Sequence, residues 1–150
     1  GVIDQPFIGE RFIGGFGASQ YVGPHGRNPL ATRATASLAQ SMLYTTFPEV
    51  GSSRDRSGFK AVADQVQLVR YGMDCYAYAL LALGHIDLVI EAGLNAYDIQ
   101  APIAVIKAAG GIVTNWHGQP AHDGGQVLAA ANPACHAAAL ELLRPFADPV

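Results

Sequence analysis

Three carboxylates stand where the chain changes character, and those are the places where an α/β protein gathers chemistry. Glu91 follows the buried-type strand segment 86–90, Asp98 precedes the helical segment 99–109, and Asp74 opens the helical segment 74–83 just after Arg70-Tyr71-Gly72-Met73. In open α/β sheets ligands collect outside the carboxyl ends of strands, which gives Glu91 a place at such a rim. Asp98 reads in two ways. Its side chain can cap free backbone N–H groups at a helix start, a placement that Pro102 supports, since proline is tolerated near a helix start. It can equally serve a metal ion there, where the positive end of the helix dipole also favours phosphate. Glu91 and Asp98 are seven residues apart, so both fall at one rim, and two converging carboxylates suit a hard cation such as Mg²⁺, which takes oxygen ligands. Asp74 is either a helix cap or a third group facing that pocket, and Gly72 would let backbone approach a ligand closely.

The remaining candidates carry less. His117 and His122 lie in a Gly-Pro loop with no cysteine nearby, which argues against zinc. His85 follows a helix end, where a histidine is favourable for dipole reasons alone. Cys75 and Cys135 sit in apolar surroundings and read as packing residues. No G-x-S-x-G, Walker A or dinucleotide glycine pattern is present, which removes the nucleophilic-serine and nucleotide readings.

The elements that must hold these carboxylates alternate in type. Residues 1–4, 11–13 and 20–22 read as short strands between glycine turns, and residues 23–29, with their Pro and Gly, read as a loop. Strands are expected at 41–47, 67–71, 86–90, 112–116 and 127–131, with helices at 53–66, 74–83, 99–109 and after Asn132-Pro133. Gly84 and Gly110-Gly111 are helix stops. Apolar strands alternating with helices predict a layered α+β or α/β fold, a mixed sheet flanked by helices.

Composition narrows the classes. The chain has 150 residues, of which 50% are hydrophobic, and a formal net charge of −3, so disorder is excluded. The longest apolar run, 76–83, is far short of the ~18 residues a membrane span needs. Nine Lys and Arg without a basic cluster argue against nucleic acid or anionic membrane as partner. Charged residues make up 14% against about 25% in average domains, the mark of a surface covered by other protein. The chain opens Gly1-Val2-Ile3-Asp4, already strand-like; the expectation is a fragment whose exposed strand edges favour a partner chain or a homodimer. Two cysteines without C-x-x-C spacing imply a reduced, cytoplasmic setting.

The run from Glu91 through Tyr97-Asp98 to Lys107-Ala108-Ala109-Gly110-Gly111 resembles the inositol monophosphatase superfamily, in which a Trp-Asp motif is followed, after a helix, by Glu-Ala-Gly-Gly. Both motifs are degenerate here. The likeness is closer to the histidinol-phosphatase branch, through Gly1-Val2-Ile3-Asp4-Gln5-Pro6 with Gly9-Glu10-Arg11, Tyr71-Gly72-Met73-Asp74-Cys75-Tyr76-Ala77-Tyr78 and Gly84-His85-Ile86-Asp87-Leu88-Val89-Ile90-Glu91.

The resemblance implies an inositol-monophosphatase-like (sugar phosphatase) fold. Residues 1–30 would be remnant strands of the N-terminal domain sheet and residues 31–150 the C-terminal α/β domain. It further implies a Mg²⁺-dependent phosphomonoesterase, acting on histidinol phosphate in histidine biosynthesis, with a small phosphorylated metabolite as ligand. By the match Asp98 is the catalytic metal ligand, and Glu91 contacts the non-phosphate part of the substrate. Asp74 and the backbone at Gly72 and Met73 line the same pocket. The family's acidic Glu-Glu segment and Asp-Pro-Ile-Asp-Gly-Thr motif do not occur in these residues. The missing N-terminal half is therefore an expected partner, and the chain alone is expected to bind Mg²⁺ weakly and to be inactive. An inositol 1-phosphate phosphatase and a non-catalytic binding or assembly module on the same scaffold are the alternatives.

Overall fold

The computed structural model describes residues 1–149. The chain opens with an antiparallel meander of β1 (Val2–Gln5), β2 (Glu10–Gly15), β3 (Ala18–Gly23) and β4 (Gly26–Pro29), hydrogen-bonded in that order. The fourth strand corrects the expected loop at 23–29. Pro24 and His25 form a tight turn between Gly23 and Gly26, which face each other across the ladder, and Gly26 takes the left-handed φ of 119°. Pro29 ends an edge strand, where the N–H it lacks is not required by a neighbour.

The second sheet is mixed. Strands β5 (Met42–Thr45), β6 (Leu68–Tyr71), β7 (Leu88–Asn95), β8 (Ile112–Asn115) and β9 (Gly124–Ala130) lie in the order β6-β5-β7-β9-β8. β5 runs parallel to both β6 and β7, while β9 is antiparallel to β7 and β8. Helices α1 (Ser53–Ala63), α2 (Cys75–Ala82), α3 (Ala96–Ala108) and α4 (Pro133–Leu143) connect them. α1 stops three residues before the expected end, with Asp64 as its C-cap, which leaves Val66 outside it. α4 begins as expected, Asn132 accepting from the Cys135 N–H at 3.0 Å.

Two apolar clusters give the layering. Ile3 and Phe12 of the first sheet, Ala77 and Leu81 of α2, Ile99 and Val105 of α3, and Val89 and Val127 of the second sheet form one. Leu88, Ile90 and Leu128, from the opposite face of the second sheet, pack with Phe59 and Val62 of α1 and Cys135 and Leu143 of α4 to form the other. The order is therefore sheet, helix pair, sheet, helix pair, and the residues of β7 alternate between the two cores as strand periodicity requires. Phe12 is fully buried, and its ring lies 5.3 Å from that of Tyr21 and 6.0 Å from that of Tyr76. Both tyrosine hydroxyls donate to Glu10, so one carboxylate ties the meander to α2. Among the described residues no helix is long and apolar enough to cross a membrane.

The first sheet and α3 approach each other backbone to backbone. A Cβ built on Gly14 of β2 would lie 2.5 Å from the Val105 Cα and 2.6 Å from the Ala104 carbonyl oxygen of α3. Nothing there is a flexible side-chain tip, so a larger residue must push the helix off the sheet. Gly14→Ala is expected to cost about 3 kcal/mol, the upper end of ordinary overpacking. Urea unfolding measures it, and a loss below about 0.5 kcal/mol, the range of a neutral surface change, would contradict this packing.

Candidate active site

A cleft of about 430 Å³ opens where the ends of β5 and β7 meet the starts of α2 and α3, with β1 along one side. Asp4, Asp74, Glu91 and Asp98 line it, together with Thr46, Cys75, Tyr78, Tyr97 and apolar residues; no Lys, Arg or His is among the lining residues. Asp4 is paired with Arg11 at 2.7 Å in the open.

Glu91 is placed by β7. Its register to β9 shifts between Glu91 and Leu94, and Gly93 in that bulge takes a φ of 80°. The extra residue returns Leu94 to the face of Glu91 and Val89, toward the core under α2 and α3. The parallel register opposes Tyr44 to Val89, and the same step further along sets Thr46 beside Glu91. The Glu91 carboxylate accepts from the Thr46 N–H at 2.7 Å, the Thr46 hydroxyl at 2.8 Å and the Thr45 hydroxyl at 3.0 Å. It is only 7% exposed, and among the described residues no cation lies within ion-pair reach of it. Burial pushes its pKa up, opposed by the threonine hydrogen bonds and reinforced by the charge of Asp74.

Asp98 occupies a different place from the expected one. It is the third residue of α3, and Asn95 is the N-cap. The Asp98 Oδ2 accepts from the Asn95 N–H at 2.8 Å, the carboxylate half of a capping box. Asn95 can cap and an acid suits the third position, so the helix begins at Ala96 and not at Ile99. Pro102 then falls inside the helix, where it cannot donate to the Asp98 carbonyl. Half-buried on the cleft wall, Asp98 keeps its Oδ1 without a hydrogen-bond partner among the described residues.

Asp74 stands at the N-cap of α2 but makes no capping bond there, and it is exposed along the cleft. Gly72, Met73 and Asp74 have φ of 95°, 78° and 45° in succession. A non-glycine residue held there costs of order 1–3 kcal/mol, and the segment is held by the Gly72 N–H, which donates to the Thr45 and Thr46 carbonyls. Gly72 and Met73 are not among the lining residues, so of this segment only Asp74 joins Glu91 and Asp98. Cys75 is exposed and lines the cleft, unlike the packing residue expected, whereas Cys135 is fully buried.

The sequence profile of the inositol monophosphatase family matches residues 1–146. The chain belongs to this family. The chloroplastic bifunctional phosphatase IMPL2 of Arabidopsis thaliana is 45% identical over 119 residues, which is 79% of this chain and 34% of that protein. Histidinol-phosphatase of Mycobacterium tuberculosis is 26% identical over 132 residues, 86% of this chain and 51% of that one. Among solved structures, an inositol monophosphatase from Zymomonas mobilis superposes with a TM-score of 0.88 at 32% identity, covering 95% of this chain and 56% of that one. The chain thus spans a third to a half of the length of the curated relatives it matches. The layered arrangement with its mixed second sheet is the inositol monophosphatase fold seen in such neighbours.

The sequence alone does not mark Thr45, Thr46 and Tyr78 as site residues. The threonines read as β-formers of 41–47, although their place at the carboxyl end of a parallel strand is an available signal. Tyr78 reads as an apolar member of 74–83. The buried Glu91 gives a pH prediction for this family member. Its raised pKa means that the folded state keeps the proton to higher pH than the unfolded chain does, so this residue's contribution to stability falls as pH rises from the ordinary value of 4.5 to the folded value. Glu91→Gln removes that penalty while keeping the shape. Its thermal midpoint at neutral pH is expected at or above the parent's, with a flatter pH profile; a lower midpoint would contradict this reading.

Proposed function

We propose that this chain forms one wall of the active site of a metal-dependent phosphomonoesterase whose substrate carries a protonated amine beside its phosphate ester, histidinol phosphate in particular. One observation carries the reading: Glu91 is a buried carboxylate held by neutral donors only, in the same cleft as Asp98 with its open oxygen. A buried charge of this kind is best compensated by an opposite charge on a ligand. The names of the Arabidopsis and Mycobacterium relatives support the class of reaction, and the second supports the amino-alcohol ester.

Asp98 would furnish oxygen to the cation, Mg²⁺ by its preference for hard ligands. Among the described residues no group of three or more His, Cys, Asp or Glu is arranged to hold a metal. Asp98 fits as one ligand of a shared site and not as a site by itself. When bound, such an ion activates water and neutralises charge on the phosphate. The chain's own contribution is to hold Asp98 on the rigid first turn of α3 and to orient the substrate's cationic end by Glu91 and Asp74. The 150-residue chain alone is proposed to be inactive until other carboxylates of the family complete the metal site.

The test is phosphate release from the chain alone and from the chain joined to a family N-terminal half bearing the Glu-Glu and Asp-Pro-Ile-Asp-Gly-Thr segments. Mg²⁺-dependent release from histidinol phosphate, faster than from inositol 1-phosphate, is expected only from the joined protein. Asp98→Asn retains a capping oxygen, so its stability should change by no more than about 1 kcal/mol. Its turnover should fall by more than about a hundredfold, the upper end of the loss seen for outer-shell partners. Release from the chain alone, or a preference for inositol 1-phosphate, would overturn the corresponding part.

A further inference from the structure

Tyr78 carries the one buried side-chain polar atom without a hydrogen-bond partner among the described residues, its hydroxyl oxygen. The residue is 3% exposed and lines the cleft. Its helix is anchored on both sides of it by buried Ala77, Ala79 and Leu81, so the ring cannot swing out to seek water. Glu91 accepts from Thr45 and Thr46, and the Asp98 Oδ2 accepts from Asn95; none of these bonds involves the Tyr78 hydroxyl. A buried hydroxyl left unpaired is costly to the fold. A cleft wall that retains one has a place for a ligand atom.

The cleft's charge selects the kind of atom. Glu91, Asp98 and Asp74 line the walls with no basic side chain among them. Carboxylates in a partly dry cleft repel an anionic group from this end and hold a cationic one more strongly than they would in water. Burial, followed by the charges of Glu91 and Asp98, raises the Tyr78 pKa well above its ordinary value, so the group facing the cleft is a neutral phenol, whose oxygen can accept as well as donate. An ammonium group has three N–H donors and needs acceptors beyond a single carboxylate.

We propose that the Tyr78 hydroxyl oxygen accepts a hydrogen bond from the protonated amine of the substrate, sharing that group with Glu91 and thereby selecting amine-bearing phosphate esters. The inference rests on the amino-alcohol reading of the site given above and adds to it the residue that distinguishes an amine from a neutral substituent. Tyr78→Phe deletes only the oxygen. An orphan hydroxyl that serves the ligand leaves a specific signature on removal, because the fold loses nothing while binding does.

The experiment is calorimetric titration of the 150-residue chain and of Tyr78→Phe with histidinol and with the analogue lacking its amino group, alongside thermal unfolding. The expected result is that Tyr78→Phe binds histidinol about tenfold more weakly, binds the deaminated analogue as the parent does, and melts no lower than the parent. Unchanged histidinol affinity in Tyr78→Phe would overturn the role of Tyr78 and leave the substrate reading standing. A lowered midpoint with equal losses for both ligands would overturn it too, by revealing a structural partner for the hydroxyl. Failure of the parent chain to prefer histidinol over the deaminated analogue would overturn the amine reading and this inference with it.

Discussion

A carboxylate taken out of water must be given partners, and the second sheet is arranged around doing so for Glu91. The desolvation penalty of a buried charge amounts to several kcal/mol even after relaxation. It is offset here by one backbone N–H and two hydroxyls, all from consecutive residues at the end of β5. That supply exists only if β5 runs parallel to β7 in a register that carries Thr46 alongside Glu91. The register in turn is pinned at the other end by Asp87, fully buried, which accepts from the Met42 N–H at 2.8 Å and lies 3.3 Å from Arg33. Two acids thus hold one strand pair, one at each end. Asp87 is balanced by a cation from the chain and Glu91 only by neutral donors.

The asymmetry explains why the site needs so few residues. Asp98 is delivered by a turn that directly follows β7, and Tyr78 by the second turn of α2, so three polar side chains converge from two connections and a strand. None of them depends on a long loop. The helices that carry Tyr78 and Asp98 are sandwiched between two sheets, and the core that seats them contains Phe12 and Ile3 from the first sheet as well as Val89 and Val127 from the second. The meander is therefore part of the site's support, although only β1 reaches the cleft.

Much of this was legible in the residues before any coordinates. Alternation of apolar runs and glycine stops located the helices and nearly all the strands, because burial periodicity and backbone punctuation are local signals. What failed was also local in origin. The strand at Gly26–Pro29 was hidden because proline and glycine deny a central strand but not an edge one. The start of α3 was misplaced because Asn95 and Asp98 are both competent caps, and the choice between them is settled by which one the end of β7 delivers. Convergence of Asp74, Glu91 and Asp98 was foreseeable from strand and helix ends. The threonine cradle and the orphan hydroxyl of Tyr78 were not, since they exist only through pairing of segments some 45 residues apart and through what fails to pair.

The backbone contact of Gly14 with Val105 has a longer reach than stability. Because main chain rests directly on main chain, the separation between β1–β2 and the helix that bears Asp98 is set by atoms every sequence shares; there is no side chain to trim, and adding one at position 14 costs the packing itself. The gauge of the opening is thus a frozen parameter of the scaffold. Divergence in what the opening admits must be written in the side chains that line it, such as the exposed Tyr97.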